Sequence, residues 1–142
     1  MSKMNIRAGD TSDIETIYNF QLKMALETEN LVLDPATVKL GVSAVIYDAN
    51  KGKYWVALVD NQIVGCLLTI PEWSDWRNGT VLWIHSVYVD TDFRKHGVYA
   101  QLYNHLKEMV ETSSDLRGLR LYVDKTNTRA QQVYEKLGMN GE

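Results

Sequence analysis

The most constraining feature of this chain is a nearly unbroken apolar run at residues 63–70, followed directly by Pro71. A run of this length predicts a β-strand that ends at the proline. Because polar residues do not alternate with apolar ones, both faces of this strand should be buried. Such a strand lies inside a sheet that carries a packing layer on each side. We therefore expect an α/β sandwich around a mixed sheet.

Strand and helix signals alternate through the rest of the chain. β-rich segments predict four further strands, at residues 4–7, 54–59, 81–89 and 119–123. Helix signals begin near Ser12, Asp34, Val98 and Asn127. The expected order is β-α-α-β-β-β-α-β-α, in a single domain that spans residues 1–142.

The first two helices have recognisable starts. Ser12 and Glu15 have the S-x-x-E spacing of a capping box. Asp34 and Pro35 supply an N-cap and a first helical residue for the second helix. One face of the first helix is predicted by residues that recur at helical spacing, namely Ile14, Ile17, Tyr18, Gln21, Leu22 and Ala25.

The composition excludes several classes of function. The net charge is -3, so no basic field is available to bind nucleic acid. Cys66 is the only cysteine, which rules out an intramolecular disulfide, and no Cys/His spacing predicts a metal site. No apolar run approaches the ~20 residues that span a bilayer, and residues 1–10 lack the apolar core of a signal peptide. We therefore expect a cytoplasmic protein with no metal, nucleic-acid or membrane partner.

The segment from Ser86 to Tyr99 carries the strongest functional signal. Here a strand runs into a charged loop, and the loop runs into the first turn of a helix. That turn has free N–H groups and the positive end of the helix dipole, which together suit a phosphate. Gly97 permits a tight turn, and Arg94 and Lys95 add two cations. The segment therefore predicts a phosphate site at the start of the helix.

This segment resembles the acyl-CoA-binding motif of the GNAT superfamily of N-acetyltransferases, Arg/Gln-x-x-Gly-x-Gly/Ala. Arg94, Gly97 and Tyr99 occupy its three defined positions. Tyr99 departs from the small residue that the family favours, so its ring must turn away if its N–H is to face the phosphates. The resemblance implies acetyl-CoA as the co-substrate and an acyl transfer as the reaction.

A second family signature, N-x-x-A-x-x-x-Y-x-x-x-G, is similar to the run at residues 127–139. Asn127, Ala130, Tyr134 and Gly138 supply its defined positions. In the family this helix approaches CoA and its sulfur, the loop N–H groups hold the pyrophosphate, and the preceding strand binds the pantetheine arm. Besides Asn127, Ala130 and Tyr134, the implied cofactor contacts are Val87, Tyr88, Val89, Arg94, Lys95, His96, Gly97, Val98 and Tyr99.

The resemblance also implies a mostly antiparallel central sheet flanked by helices. The family fold adds two strands after the last helix, whereas this sequence stops at Glu142. We therefore expect those strands to be missing or truncated, or supplied by a partner subunit. An open sheet edge invites pairing, which makes a homodimer a reasonable hypothesis.

The reaction implied is direct attack of a primary amine on the acetyl thioester. An alkylammonium ion has a pKa of about 10.4, so the enzyme benefits from a base or from a site that disfavours the cation. Similar family members use the tyrosine of this helix as a general acid, which makes Tyr134 the candidate proton donor to the CoA sulfur. A core tyrosine is the alternative for this residue.

His85 is the first candidate base, because some family members carry a His or a Glu at this strand position. An imidazole can accept a proton near neutral pH. Strand alternation predicts that Trp83, His85, Val87 and Val89 share one face. Glu72, after Pro71, is the second candidate, and water alone or a hydrogen-bonded core histidine are the alternatives.

The acceptor site is less constrained by the sequence. Glu27 and Glu29 could bind a cationic acceptor, and Trp73 and Trp76 could form an aromatic wall at a hairpin tip. The alternatives are a solvated helix face for the two carboxylates and indoles that cap the core. A small-molecule primary amine is the expected acceptor. A protein or peptide amine, or a catalytically weak sensor of acetyl-CoA, are the other hypotheses.

Overall fold

The computed structural model describes residues 4–121. In this part of the chain the strands are β1 (Met4–Ala8), β2 (Lys53–Val59), β3 (Gln62–Ser74), β4 (Gly79–Val89) and β5 (Leu116–Leu121). The α-helices are α1 (Ile14–Glu29), α2 (Pro35–Tyr47) and α3 (Val98–Thr112). Up to β5, the order of elements is the one that the sequence predicts. The last predicted helix, at residues 127–137, lies outside the described residues.

All five strands form one sheet, in the order β1-β2-β3-β4-β5. The first three pairings are antiparallel, and β4 pairs with β5 in parallel. A parallel neighbour requires a crossover connection, and α3 provides it. The expected mixed, mostly antiparallel sheet with flanking helices is therefore confirmed.

Each face of the sheet carries its own apolar core. On one face Leu102 of α3 packs in a cluster with Leu67 of β3. On the other face Ile17 of α1 and Val42 of α2 pack in a cluster with Cys66. Cys66 and Leu67 are adjacent in β3 and fully buried on opposite sides, as the apolar run predicts.

The strand β3 does not end at Pro71, as the sequence predicts, but continues to Ser74. Its pairing with β2 stops at Lys53–Thr69, whereas its pairing with β4 continues through Pro71–Leu82 to Ser74–Gly79. Beyond Thr69 the strand therefore has one neighbour only among the described strands. A proline lacks the N–H that a second neighbour would need, so it fits such an edge.

The predicted capping box of Ser12 and Glu15 is wrong by two residues. Asp10 is the cap, and it precedes a short 3-10 turn that leads into α1. Its side chain accepts from the Ser12 N–H at 2.9 Å, and the Asp13 carboxylate accepts from the Asp10 N–H at 2.8 Å. Glu15 instead accepts a hydrogen bond from the Lys39 ammonium at 2.5 Å, which ties α1 to α2.

Replacing Asp13 with alanine should lower the free energy of unfolding by about 2 kcal/mol at pH 7. Asp13 is buried and forms two hydrogen bonds with the Arg7 guanidinium, at 2.6 and 3.0 Å. Burial alone would raise the pKa of Asp13, but hydrogen bonds from Arg7 and the Asp10 N–H outweigh it and hold the pKa below its ordinary value. The carboxylate's contribution is therefore present above about pH 4 and is lost as the pH falls through the depressed value.

Urea unfolding of the wild type and the Asp13→Ala variant at pH 7 and pH 3 checks this expectation. The gap between the two proteins should be smaller at pH 3, since acid removes the wild-type advantage. An equal gap at both pH values would contradict the role given to the carboxylate. Asp13→Asn, which keeps the shape and removes the charge, should also lower the free energy of unfolding at pH 7.

Candidate functional site

The site is organised by a bulge in β4 at Ser86. Leu68 pairs with His85 and Cys66 pairs with Tyr88, so Leu67 faces two residues of β4 instead of one. Ser86 has a φ of 41°, in the left-handed region that a serine rarely adopts. Bulges and strained backbone are concentrated at functional sites in proteins.

The bulge corrects the predicted face of His85. Paired residues of antiparallel strands point to the same side, so His85 and Tyr88 share the α1/α2 face with Leu68 and Cys66. Val87 packs instead with the core under α3. The prediction that His85 shares its face with Val87 and Val89 was wrong, because the extra residue reverses the alternation between them.

A cavity of about 500 Å³ opens beside the bulge. On one side lies α1, on the other β4, and the segment between α1 and α2 closes a third side. The ladder between β4 and β5 reaches its last described pair at Ile84–Leu121, next to this opening. The described lining residues are Gln21, Met24, Ala25, Thr28, Glu29, Leu31, Leu33, Ile84, His85, Ser86, Val87 and Leu121.

Two of the residues proposed from the sequence line this cavity. His85 is exposed at its wall, so the alternative of a core histidine does not apply. Glu29 also lines it, from the last turn of α1. A proton acceptor and a carboxylate thus border the same space, which is a suitable arrangement for an organic cation.

Three other proposed residues are not part of the cavity lining. Glu72 is exposed, and its carboxylate lies 3.9 Å from the Arg120 guanidinium. Trp73 and Trp76 are 65% and 95% exposed at the tip of the β3–β4 hairpin. The indoles therefore do not cap the core. Contact between these indoles and an acceptor stays a prediction.

Several residues that line the cavity were not predicted from the sequence as site residues. Gln21 carried a visible signal, since it is an amide inside a stripe of apolar residues on α1. Its Nε2 atom is buried and has no hydrogen-bond partner among residues 4–121. Leu31, Leu33 and Ser86 carried no comparable signal, because a bulge and a loop position are not encoded by periodicity.

The predicted phosphate site lies at the start of α3. Gly97 is the N-cap, with a φ of 78°, and no side chain caps the helix. A Cβ added to Gly97 would meet nothing within 4 Å, so the first N–H groups of the helix have open space beside them. Lys95, at a φ of 68°, and His96 are both exposed in the same turn. An oxyanion fits a helix start of this kind.

Arg94 anchors the loop before α3. Its Nε donates to the Val89 carbonyl at 2.9 Å, and its Nη2 donates to both carboxylate oxygens of Glu27, at 3.1 and 3.2 Å. The guanidinium also lies 5.3 Å from the centre of the Tyr88 ring. Burial raises the pKa of Tyr88, and a hydrogen bond to Glu27 raises it further. Glu27 and Arg94 were predicted to hold different ligands, but here they bind each other.

Close packing places the start of α3 against the sheet. A Cβ on Gly65 would lie 2.9 Å from a methyl group of Val98 and 3.1 Å from the Tyr88 carbonyl. Only a glycine in β3 leaves room for the helix at this point. Tyr99, the departure from the family motif, is partly buried, and its ring stacks on Tyr103 at 6.4 Å between centroids. Its ring therefore packs along α3.

The one cysteine is not a nucleophile. Cys66 is fully buried between the sheet and α1, and burial raises the pKa of its thiol to about 12. A thiol of this kind stays protonated and unreactive near pH 7.

Residues 4–121 contain neither a metal-binding cluster nor a membrane-spanning helix. No group of three or more His, Cys, Asp or Glu side chains is placed to hold a metal ion. Within the same residues, no helix has the length and apolar character needed to span a bilayer. The predicted contacts of Asn127, Ala130 and Tyr134 lie outside the described residues and stay predictions.

Known proteins resemble this chain over nearly its whole length. The model of the acetyltransferase (GNAT) family matches residues 16–139. A crystal structure of a possible acetyltransferase from Clostridium difficile 630 is 41% identical, with a TM-score of 0.92, over 98% of this chain and 91% of that one. No curated protein matches the chain in sequence.

Two more distant crystal structures share the fold. Ribosomal-protein-alanine N-acetyltransferase from Brucella melitensis biovar Abortus 2308 is 16% identical, with a TM-score of 0.80, over 99% of this chain and 94% of that one. An aminoglycoside N-acetyltransferase in complex with CoA is 18% identical, with a TM-score of 0.79, over 100% of this chain and 91% of that one.

Proposed function

Since the chain belongs to the acetyltransferase (GNAT) family, we propose that it transfers an acetyl group from acetyl-CoA to the primary amine of a small molecule. The observation that carries this proposal is the cavity beside the Ser86 bulge, with His85 and Glu29 on its walls. A cavity of about 500 Å³ matches the size of small-molecule sites. It favours a small amine over a folded protein surface.

The residues at the start of α3 fit the diphosphate of CoA. The helix has no side-chain cap, Gly97 leaves its N–H groups accessible, and Lys95 and His96 are exposed nearby. Acetyl-CoA supplies a thioester that a neutral amine can attack. The protein's own tasks are to bind the ammonium form of the acceptor, to remove one proton from it, and to protonate the departing sulfur.

His85 and Glu29 are the residues proposed to handle the acceptor. Glu29 attracts the ammonium ion into the cavity by its negative charge. His85 accepts the proton, either directly or through one water molecule, which leaves the amine nitrogen with a free electron pair. Tyr134, from the second family signature, is proposed to donate a proton to the sulfur as the C–S bond breaks. The phenol regains a proton, directly or through water, from the attacking nitrogen, which must lose its second proton to become an amide. Glu72 remains the second candidate base, although it does not line the cavity.

Release of free thiol from acetyl-CoA, measured against a panel of primary amines, tests the proposal. Turnover with at least one small amine supports it. Acetyl-CoA should also raise the free energy of unfolding, by about 2.7 kcal/mol at a concentration of a hundred times its Kd. Tight acetyl-CoA binding without turnover of any small amine would indicate a sensor or a protein acceptor. Absence of acetyl-CoA binding would refute the proposed function.

Gly97→Ala and Gly41→Ala should change stability in opposite directions. Gly97 has a positive φ, so alanine there should cost about 1 kcal/mol. Gly41 lies inside α2 with nothing within 4 Å of an added Cβ, so alanine there should stabilise by up to about 1 kcal/mol. We also expect Gly97→Ala to weaken acetyl-CoA binding roughly tenfold, through displaced N–H donors.

Chemical unfolding and isothermal titration with acetyl-CoA measure both effects. Gly41→Ala serves as the matched control, because it is the same substitution on a helix away from the loop. The phosphate site would be misplaced if Gly97→Ala bound acetyl-CoA as tightly as Gly41→Ala did.

A further inference from the structure

One polar group in the cavity has no part in the proposed reaction. Gln21 lies on α1 between Ile17 and Ala25, one helical turn from each, and these two neighbours are buried. Its Nε2 atom is also buried, and no hydrogen-bond acceptor meets it among residues 4–121. A buried donor without an acceptor is costly and rare in native proteins. Gln21 also lines the cavity, and a rotation of its amide group would bring this donor to the cavity surface, where a ligand atom can accept from it.

The remaining lining residues restrict what that ligand can be. Glu29 is the only carboxylate and His85 the only imidazole of the described lining, and neither a lysine nor an arginine is part of it. One carboxylate balances one ammonium group, which argues against a diamine. A ligand carboxylate would meet the negative charge of Glu29 with no cation beside it.

Apolar side chains complete the walls. Met24, Leu31 and Leu33 line the cavity opposite β4, and Leu31 is 46% exposed. A leucine that is half exposed at a cavity wall has apolar area that a ligand can cover. The lining therefore offers one place for an ammonium group, one buried donor, and an apolar surface.

We propose that the acceptor is a monoamine with an apolar body and an uncharged oxygen, and that Gln21 selects it by donating from Nε2 to that oxygen. The proposal rests on the proposed acetyltransferase function and specifies the substrate class of the same cavity. An amino alcohol or an amino amide has the required chemistry. A free amino acid, a polyamine and a plain alkylamine each lack one part of it.

Three amines that carry the same isobutyl group test the proposal: leucinol, leucine and 3-methylbutylamine. Leucinol carries the hydroxyl, leucine carries a carboxylate, and 3-methylbutylamine carries neither. In the wild type, kcat/KM for leucinol should exceed that for each of the others by roughly tenfold or more, the effect of one well-formed hydrogen bond. Equal values for leucinol and 3-methylbutylamine would overturn the proposal.

Variants of Gln21 test whether its amide causes the preference for leucinol over 3-methylbutylamine. Gln21→Leu should bring leucinol and 3-methylbutylamine to similar kcat/KM values, because the donor is gone while the side-chain volume is nearly kept. Gln21→Glu, which keeps the shape and replaces the donor by an acceptor, should lose the leucinol preference as well. Asn19→Leu is the matched control, since Asn19 is an exposed amide on the same helix and should leave the preference intact. A preference that survives both Gln21 variants would overturn the proposal.

Binding measurements separate this inference from the proposed function. The Kd of each amine is measured by titration calorimetry on the protein saturated with CoA. A leucinol preference in binding that Gln21→Leu removes, without any thiol release, would support the recognition by Gln21 and refute catalysis. Thiol release that does not depend on the oxygen would support catalysis and refute the recognition. If none of the three amines binds at millimolar concentration, the recognition is refuted.

Discussion

Replacing His85 with alanine is expected to lower kcat for acetyl transfer by about 10²- to 10⁴-fold, the range that a general base contributes. An ammonium ion with a pKa of about 10.4 is almost wholly protonated at pH 7 and has no electron pair for the thioester. His85 is the one imidazole on the described wall of the cavity, and it is exposed there. Without it, the proton must leave to bulk water.

Steady-state thiol release from acetyl-CoA measures the effect, with kcat and KM determined separately. The fall should lie mainly in kcat, since the imidazole acts on the proton rather than on binding. Because the cavity is open and His85 is exposed, added imidazole should restore part of the rate. His105→Ala is the control, because that histidine packs against Trp55, 5.5 Å between ring centres, and does not line the cavity.

Glu72→Ala decides between the two candidate bases. Glu72 is exposed and 3.9 Å from Arg120, outside the cavity lining. It pairs with Val81, whereas His85 lies four residues further along β4, a separation of roughly 13 Å along a strand. We therefore expect a small effect from Glu72→Ala. A loss larger than that of His85→Ala would transfer the role of base to Glu72.

Replacing Tyr134 with phenylalanine should lower kcat by about 10²-fold or more, because a general acid contributes in the same range as a base. The substitution removes one oxygen and keeps the ring, so packing should change little. A thiolate that leaves without a proton is a poorer leaving group than a thiol, and the Tyr134 phenol is the donor proposed above. Acetyl-CoA affinity should stay within a few-fold of the wild type.

Comparison of substrates with different thiol leaving groups checks this role. The Tyr134→Phe variant should gain most when the leaving thiol is more acidic, because an acidic thiol needs less protonation. A variant that loses stability in chemical unfolding, with an unchanged kcat, would favour the alternative of a core tyrosine. The double variant with His85→Ala shows whether the two residues act as a unit, through departure from additivity.

Much of the fold could be predicted from the sequence, and the reasons are physical. The apolar run at residues 63–70 predicted a strand with two buried faces, and Cys66 and Leu67 are buried on opposite sides. The order of elements up to β5 followed from periodicity and helix starts. The start of α3 at Val98 was predicted from apolar residues at helical spacing that follow a charged loop.

The candidate site was less predictable, because it depends on one irregular residue. Alternation assigned His85 and Val87 to one face, and the bulge at Ser86 places them on opposite faces. No local pattern announces a serine at a positive φ. Likewise, the Arg94–Glu27 pair joins residues that are distant in the chain, so the sequence assigned each to a separate ligand.

The bulge at Ser86, which lies beside the cavity, is also independent of the packing of the two apolar cores. Ile84 belongs to the core under α3 and Tyr88 to the core under α1, although an even spacing in a regular strand would place both on one side. If Ser86 were absent, Val87 would meet Leu67 and Tyr88 would still meet Cys66, so both cores would keep their members. A chain one residue shorter could thus retain this scaffold with a straight β4.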